Sequence, residues 1–130
     1  MKKIIIIFKI AITFLSGQNI YFVNNLIEKN ETFYNYMNDS FLSGLLYYNY
    51  IDEEKNAKKL FVGEIKNGIK HGLWIRYWDN GNKKSEGIYK DSFKEGLWIE
   101  WFKNGDKYLE VLYKKDSIIH FTNCVNGNCN

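Results

Sequence analysis

Few residues in this sequence are of a type that catalyses reactions or binds metals. Neither histidine, His71 or His120, lies in a recognisable nucleophile or metal-ligand pattern. Glu86 and Glu110 are carboxylates of the kind used in general acid–base catalysis, but they are 24 residues apart. Other identical residues recur at the same interval, so a repeat accounts for this spacing. We therefore expect no catalytic residue, no metal and no cofactor, and an enzyme is the last of the functions considered.

Two cysteines near the C-terminus carry the remaining reactive groups. Cys124 and Cys129 occur in the stretch CVNGNC, where Asn126-Gly127 is typical of a tight turn. A disulfide across this short loop is expected if the chain is exported to an oxidising compartment. A metal site is the alternative, but two cysteines without a nearby histidine form an incomplete set of ligands. The sequence favours the disulfide, conditional on export.

The N-terminus has the layout of an export signal. Lys2 and Lys3 precede an apolar run over Ile4–Leu15, and two small residues follow it. This order is typical of a secretory signal peptide, and the run is shorter than the roughly 20 residues of a membrane span. Lys9 interrupts the run, and a buried N-terminal strand is the alternative. We predict a signal peptide over 1–17 and hence a periplasmic, envelope or secreted protein; without that signal the protein would be cytoplasmic.

The charge balance restricts the class of partner. The chain has 18 basic and 15 acidic residues, and removal of 1–17 takes away three lysines and no acid. The mature chain would then have 15 charges of each sign and no net charge. Nucleic-acid affinity depends on clustered cations, and attraction to anionic lipid depends on basic segments. We expect no nucleic-acid binding, and no membrane binding after the signal is removed.

The dominant feature of the sequence is a repeat with a period of 24 residues. HGLWIRYWDNG begins at His71, and EGLWIEWFKNG begins at Glu95. All four tryptophans lie in these two stretches, and a more divergent copy precedes them. Self-similarity at a fixed period indicates stacked units, because one unit cannot bury its face alone. We predict a repeat domain over 18–115, with repeats at about 41–66, 72–90 and 96–114, followed by a C-terminal tail over 116–130 that holds the cysteine pair.

Composition and turn sequences favour strands. Aromatic residues form 18% of the chain, which has no proline, and aromatic and β-branched residues fit the pleated surface of a sheet. In the two clear repeats, Asn-Gly joins two such runs, which is typical of an antiparallel hairpin. We predict an all-β fold, an elongated single-layer antiparallel meander of stacked β-hairpin repeats. The predicted strands are about 32–36, 41–50, 59–66, 73–78, 83–90, 97–102 and 107–114.

The hairpin turns end in Gly81 and Gly105. A two-residue loop would pair Ile99 with Glu110 and mix polar and apolar residues on both faces. A three-residue loop pairs Ile99 with Leu109 and separates the two classes better. We therefore predict the three-residue loop, with a positive φ at both glycines, where a side chain would be strained.

This predicted register gives each hairpin two unlike faces. In the first hairpin, Leu73, Ile75 and Tyr77 are predicted to form the core face together with Gly87 and Tyr89, while Ile88 is predicted on the opposite face. The corresponding core face of the second hairpin comprises Leu97, Ile99, Trp101, Leu109, Val111 and Tyr113. The opposite face, called here the Trp face, alternates aromatic and charged residues, a pattern typical of a half-exposed surface. Because aromatic residues and arginine anchor many interfaces, the Trp face is the candidate binding surface; the alternative is that its rings only cover the sheet. It comprises Trp74, Arg76, Trp78, Trp98, Glu100 and Phe102.

The repeat resembles the MORN-repeat variant family, whose bacterial members are often labelled YwqK-like antitoxins of toxin–antitoxin systems. The family phrase is roughly Gly-x-Trp, an aromatic pair, Asn-Gly-Lys and Glu-Gly-x-Tyr. It is carried here by Gly72, Trp74, Tyr77, Trp78, Asn80, Gly81, Glu86, Gly87 and Tyr89, and again by Gly96, Trp98, Trp101, Phe102, Asn104, Gly105, Glu110 and Tyr113. The chain departs from the pattern at Val111 and at Asp91-Ser92, which suggests that the last repeat is a capping variant.

The resemblance implies a sheet of hairpins that functions by binding. The leading hypothesis is a non-enzymatic protein-binding repeat protein, an antitoxin or immunity-like protein that neutralises a toxin or effector by direct contact. An exported structural or scaffold module of the cell envelope is the alternative. Neither the identity of the partner nor the oligomeric state follows from the sequence.

Overall fold

The computed structural model describes residues 19–22, 28–29, 32–35 and 40–129. The signal peptide predicted over 1–17 lies outside these residues. The chain divides into two compact units, Met1–Lys70 and His71–Asn130. In the described part of both units the regular elements are strands, without a helix. Within that part, no helix is long and apolar enough to cross a membrane.

The first unit contains a sheet and a smaller group of strands. In the sheet, β1 pairs in parallel with β5, and β5 pairs antiparallel with β6. The three short strands between β1 and β5 pair antiparallel with one another. Leu46 of β5 and Ile65 of β6 are fully buried. The strands are β1 (Ile20–Phe22), β2 (Glu28–Lys29), β3 (Thr32–Asn35), β4 (Ser40–Phe41), β5 (Gly44–Ile51) and β6 (Ala57–Lys66).

The second unit is a meander in which each strand pairs antiparallel with the next along the chain. The predicted all-β antiparallel meander is therefore confirmed. Residues 117–125 and 128–129, which were predicted as part of a C-terminal tail, are instead strands of the sheet, because β11 pairs with β10 over most of its length and with β12 at its end. The strands are β7 (Ile69–Tyr77), β8 (Lys83–Lys90), β9 (Phe93–Trp101), β10 (Lys107–Lys114), β11 (Ser117–Val125) and β12 (Asn128–Cys129).

The two Asn-Gly turns have the predicted three-residue loop. Trp78 N donates to Asn82 O at 2.8 Å, and Gly81 N donates to Trp78 O at 3.0 Å. The second copy repeats both bonds at 2.9 Å, from Phe102 N and from Gly105 N. The φ angles are 82° at Gly81 and 97° at Gly105, as predicted. A residue with a Cβ would be strained at either glycine.

A further bulge after each turn makes the predicted register wrong. Lys107 lies opposite Trp101, but the pairing then shifts by one residue before Leu109. Ile99 is consequently opposite Glu110, not Leu109, and Trp98 is opposite Val111. The first hairpin has the same shift between Lys83 and Ser85, which brings Gly87 opposite Trp74. Because a shift of one residue exchanges the faces, Gly87 and Tyr89 lie with the tryptophans and not with the leucines.

The extra residue in each bulge packs against the aromatic side chain that precedes the turn. The Lys84 ammonium lies 4.2 Å from the centroid of the Trp78 ring. One repeat later, the rings of Tyr108 and Phe102 stack with centroids 4.6 Å apart. Cation–π and ring-stacking contacts of this kind favour the bulged conformation over a regular ladder.

The turns at the opposite ends of the strands are two-residue loops in which both residues have positive φ. Such turns favour Asn-Gly, because glycine adopts the left-handed region without strain. Two of them consist of other residues and therefore carry steric strain. The four loops are Asn67-Gly68, Asp91-Ser92, Lys115-Asp116 and Asn126-Gly127.

We expect Ser92→Gly to raise the free energy of unfolding by about 1 kcal/mol, since it relieves the left-handed strain at φ 68°. The change also removes the Ser92 hydroxyl, which is buried without a hydrogen-bond partner. Urea denaturation followed by circular dichroism measures the effect. The matched reverse change, Gly68→Ser, should lower stability. A loss of stability in Ser92→Gly would contradict the strain argument.

Candidate functional site

The two central tryptophans of the Trp face are buried. Trp74 is 8% exposed and Trp98 is 4% exposed. Together with Tyr89 and Tyr113 they form a row of edge-to-face rings, called here the aromatic ladder. Successive centroids, from Trp74 through Tyr89 and Trp98 to Tyr113, are 5.8, 5.1 and 6.3 Å apart. This geometry is favourable for aromatic quadrupoles, so the ladder is a packed layer on the sheet.

The indole rings of the ladder lie close against the backbone and bond to it. Trp98 Nε1 donates to Ile88 O at 3.2 Å, and Trp74 Nε1 donates to His71 O at 3.2 Å. A Cβ at Gly87 would overlap the Trp98 ring. The Lys94 ammonium lies 4.5 Å from the Trp98 ring centroid. The predicted half-exposure of Trp74 and Trp98 is therefore wrong, because both rings are buried.

The two charged residues predicted for the Trp face have partners within the sheet. Arg76 Nε donates to Ser85 Oγ at 2.9 Å, and Ser85 is buried. Ser85 also lies opposite Glu100, whose carboxylate accepts a hydrogen bond from the Tyr108 hydroxyl. That bond, then burial and the charge of Glu100, raise the pKa of Tyr108 above its usual value, while Arg76 lowers it. These contacts form a polar row that runs across β7 to β10.

The remaining two residues of the predicted site, Trp78 and Phe102, lie at the turns. Trp78 Nε1 donates to Trp101 O at 3.0 Å, and Asn80 Nδ2 donates to Lys103 O at 2.9 Å. Each of these bonds joins the first hairpin turn to the second. Phe102, in contrast, is 53% exposed. The structure thus divides the six predicted residues among the ladder, the polar row and the turns.

The opposite side of the second unit carries exposed aliphatic side chains. Leu73 lies opposite Ile88, and Leu97 lies opposite Leu112. These four side chains are between 41% and 50% exposed. Exposed apolar patches of this kind mark interaction surfaces more often than scattered single residues do. This surface, called here the aliphatic face, comprises Leu73, Ile88, Leu97 and Leu112. On the same side, Ile75 is buried and Ile99 is half-buried.

Ion pairs accompany the aliphatic face at the repeat interval. Glu86 lies opposite Ile75, and Glu110 lies opposite Ile99. Lys107 Nζ is 3.0 Å from the Glu110 carboxylate, and Lys83 forms the corresponding pair with Glu86. The two glutamates considered above for acid–base catalysis are therefore ion-paired structural residues on separate hairpins. An apolar centre with polar side chains around it is the usual composition of a protein interface.

The sequence assigned Leu73 and Leu97 to the core face and Ile88 to the Trp face, so the surface that they form together was missed as a binding surface. One residue indicated the correct orientation. A glycine within a strand, here Gly87, often marks a place where another group approaches the backbone closely. Combined with the recurring tryptophans, it indicates rings that lie over the strand, and hence a covered Trp face.

Cys124 and Cys129 are directly opposite each other on β11 and β12 and are joined by a disulfide. Between them, Asn126-Gly127 forms a two-residue turn. The bond uses both sulfur atoms, so the pair provides no thiolate for a metal. Within the described residues, no group of three or more potential metal ligands occurs.

Comparisons of the chain with known protein families, with curated proteins and with solved structures find no match. A functional conclusion therefore rests on the geometry of the two faces and on the resemblance of the repeat.

Proposed function

We propose that this chain is a non-enzymatic protein-binding repeat protein, an antitoxin- or immunity-like protein that neutralises a toxin or effector by direct contact. The observation that carries the binding proposal is the exposure of Leu73, Ile88, Leu97 and Leu112 on one face. Burial of apolar surface against a partner would contribute about 25 cal/mol for each Å² removed from water. The aliphatic face, and not the Trp face, is therefore the surface proposed to bind.

A protein partner suits this face better than a lipid or a nucleic acid. The lysines beside it, Lys83 and Lys107, are paired with Glu86 and Glu110. Paired lysines provide little of the clustered positive charge that anionic lipid and phosphate backbones require. Apolar side chains framed by ion pairs instead fit a protein surface of matching shape and charge.

The class of partner and the location of the protein rest on different observations. The resemblance to a family that includes antitoxins supports a toxin or effector as the partner. The Cys124–Cys129 disulfide supports export, since such bonds persist mainly in oxidising compartments. An exported scaffold module of the cell envelope shares that location, and only the identity of the partner separates the two proposals.

The central test replaces a residue of the aliphatic face with a charge. Leu97→Asp should abolish capture of the partner when the tagged protein is purified from its native cells, because a buried unpaired carboxylate opposes association. A matched control is Ile51→Asp, which changes another exposed aliphatic side chain, on β5 of the first unit. Both variants should keep the wild-type melting temperature within about 3 °C.

The outcomes separate the proposals. Neutralisation is supported if the wild type and Ile51→Asp both capture a stoichiometric toxin or effector, Leu97→Asp does not, and co-expression rescues growth. Retention of that partner by folded Leu97→Asp would exclude the aliphatic face as its site. Recovery of envelope structural proteins alone would favour the scaffold alternative over the antitoxin-like function.

A further inference from the structure

The last long strand of the second unit has an edge that is only partly paired. Strand β11 pairs with β10 along one side, from Ser117 to Asn123. On its other side, β12 pairs only with Cys124 and Val125. Among the strands that the structure describes, none pairs with this outer side over 117–123. Seven consecutive residues therefore present an open β edge.

The open edge lacks the residues that usually prevent strands from associating. Natural edges are protected by lysine, proline or inward-pointing charges. The segment 117–123, SIIHFTN, has no lysine, no proline and no acidic residue. Ile118, Ile119 and Phe121 are between 57% and 60% exposed. One protective feature is present, a bulge at Ile119 in the pairing with β10, since bulges can twist an edge away from a partner strand. The residues on both sides of it include no lysine and no acid.

We propose that this edge pairs antiparallel with the same edge of a second copy of the chain, which gives a two-fold dimer centred on His120. When a strand pairs with a second copy of itself, any charged residue in the segment is present on both sides of the contact. Charged strands oppose such pairing, since like charges that face each other are destabilising. With no lysine, aspartate or glutamate, 117–123 brings no such pair together.

The position of the centre follows from the limits of the open edge. The turn at Lys115-Asp116 ends it on one side, and the disulfide-linked hairpin that starts at Cys124 ends it on the other. His120 is the midpoint of 117–123, so maximal antiparallel overlap places it opposite itself. Ile119 then faces Phe121 of the second copy. Pairs of β-branched and aromatic residues are among the favourable cross-strand pairs.

A cysteine at the centre of the dimer tests the register directly. His120→Cys in the full chain should form a disulfide-linked dimer under mild oxidation, since the two residues would be within about 4.5–5.5 Å. Ser117→Cys is the matched control on the same strand. Its two copies would be separated by about 20 Å, so it should remain unlinked. Mass spectrometry must show the Cys124–Cys129 bond intact in both variants.

Sedimentation velocity provides a second measurement that does not depend on cysteine chemistry. The wild type should be a dimer, and Ile119→Lys should weaken dimerisation by about tenfold or more, because it places a charge on the edge. Leu112→Lys, on the exposed aliphatic face of the inner strand β10, should leave the dimer intact. These experiments involve no other protein, so their failure would leave the proposed partner binding standing.

Three results would overturn the proposal. The first is a wild-type chain that stays monomeric at tens of micromolar. The second is equal cross-linking of Ser117→Cys and His120→Cys, which would indicate random collision. The third is a dimer that Leu112→Lys dissociates and Ile119→Lys does not, which would place the contact on the aliphatic face.

Discussion

Trp98→Ala should lower the free energy of unfolding by about 3–5 kcal/mol. The ring is 4% exposed, contacts Tyr89 and Tyr113 at its edges and covers the backbone at Gly87. Truncation removes these contacts and leaves a cavity that the flanking rings cannot fill. Urea denaturation followed by far-ultraviolet circular dichroism measures the loss without relying on the deleted fluorophore.

Phe102→Ala is the matched aromatic control. Phe102 lies four residues further along and is 53% exposed, with one stacking contact to Tyr108. Its loss should lower stability by about 1 kcal/mol. Equal losses in the two variants would contradict the aromatic ladder as a core. An unchanged stability in Trp98→Ala would instead indicate a half-exposed Trp face, as the sequence predicted.

Gly87→Val should destabilise the sheet by about 3 kcal/mol or more. A Cβ at this position overlaps the Trp98 ring, which other ladder rings hold on both sides. Overpacking commonly lowers stability by about 1–3 kcal/mol, and a ring that cannot move puts this position at the upper end. The melting temperature provides the measurement, and Ile88→Val on the adjacent exposed position is the control.

A double variant tests whether overlap with the Trp98 ring causes the destabilisation expected for substitutions at Gly87. Gly87→Ala should be destabilising alone and much less so in a chain that also has Trp98→Ala, since the new methyl group then enters free space. The two changes in stability should differ from additivity by about 1–3 kcal/mol. Strict additivity would mean that the overlap with the Trp98 ring is not the reason for glycine at position 87.

The close approach of the Trp98 ring to Gly87 also explains why valine, and not glycine, is found at position 111. Val111 stands 24 residues after Gly87, and Thr122 stands 24 residues after Trp98. No indole follows Val111 in the next strand, so a side chain is tolerated there, and Val111 is itself buried. Glycine and tryptophan are lost together at the end of the repeat, which gives the expected capping variant a physical reason.

The local features of the fold were predictable because short-range rules govern them. Composition indicated strands, and Asn-Gly indicated both the three-residue loop and the positive φ at Gly81 and Gly105. Strand β11 was missed because the turn before it is Lys115-Asp116, which lacks the glycine that usually marks a turn with two positive φ angles. Without a recognisable turn, the segment after it resembled a tail.

The candidate site was harder to predict because it depends on register. The bulges at Lys84 and Tyr108 each add one residue to a strand, and neither residue is of a type that indicates a bulge. One added residue is enough to exchange the two faces of the strand. Each bulge residue contacts Trp78 or Phe102 across the turn, a contact that only the folded hairpin reveals. Trp74 and Trp98, which were predicted to bind, are therefore buried, whereas Leu73 and Leu97, which were predicted as core, are exposed.

The bonds between successive hairpin turns have a consequence for how such a chain evolves. Asn80 and Trp78 of one turn bond to main-chain oxygens of the next, at Lys103 and Trp101. Because every residue has a main-chain oxygen, residues 101 and 103 could be substituted without loss of the acceptors that join the two hairpins. In-frame gain or loss of 24 residues would change the number of hairpins while leaving each remaining joint intact. The length of the aliphatic face could therefore change by one hairpin at a time without redesign of the core.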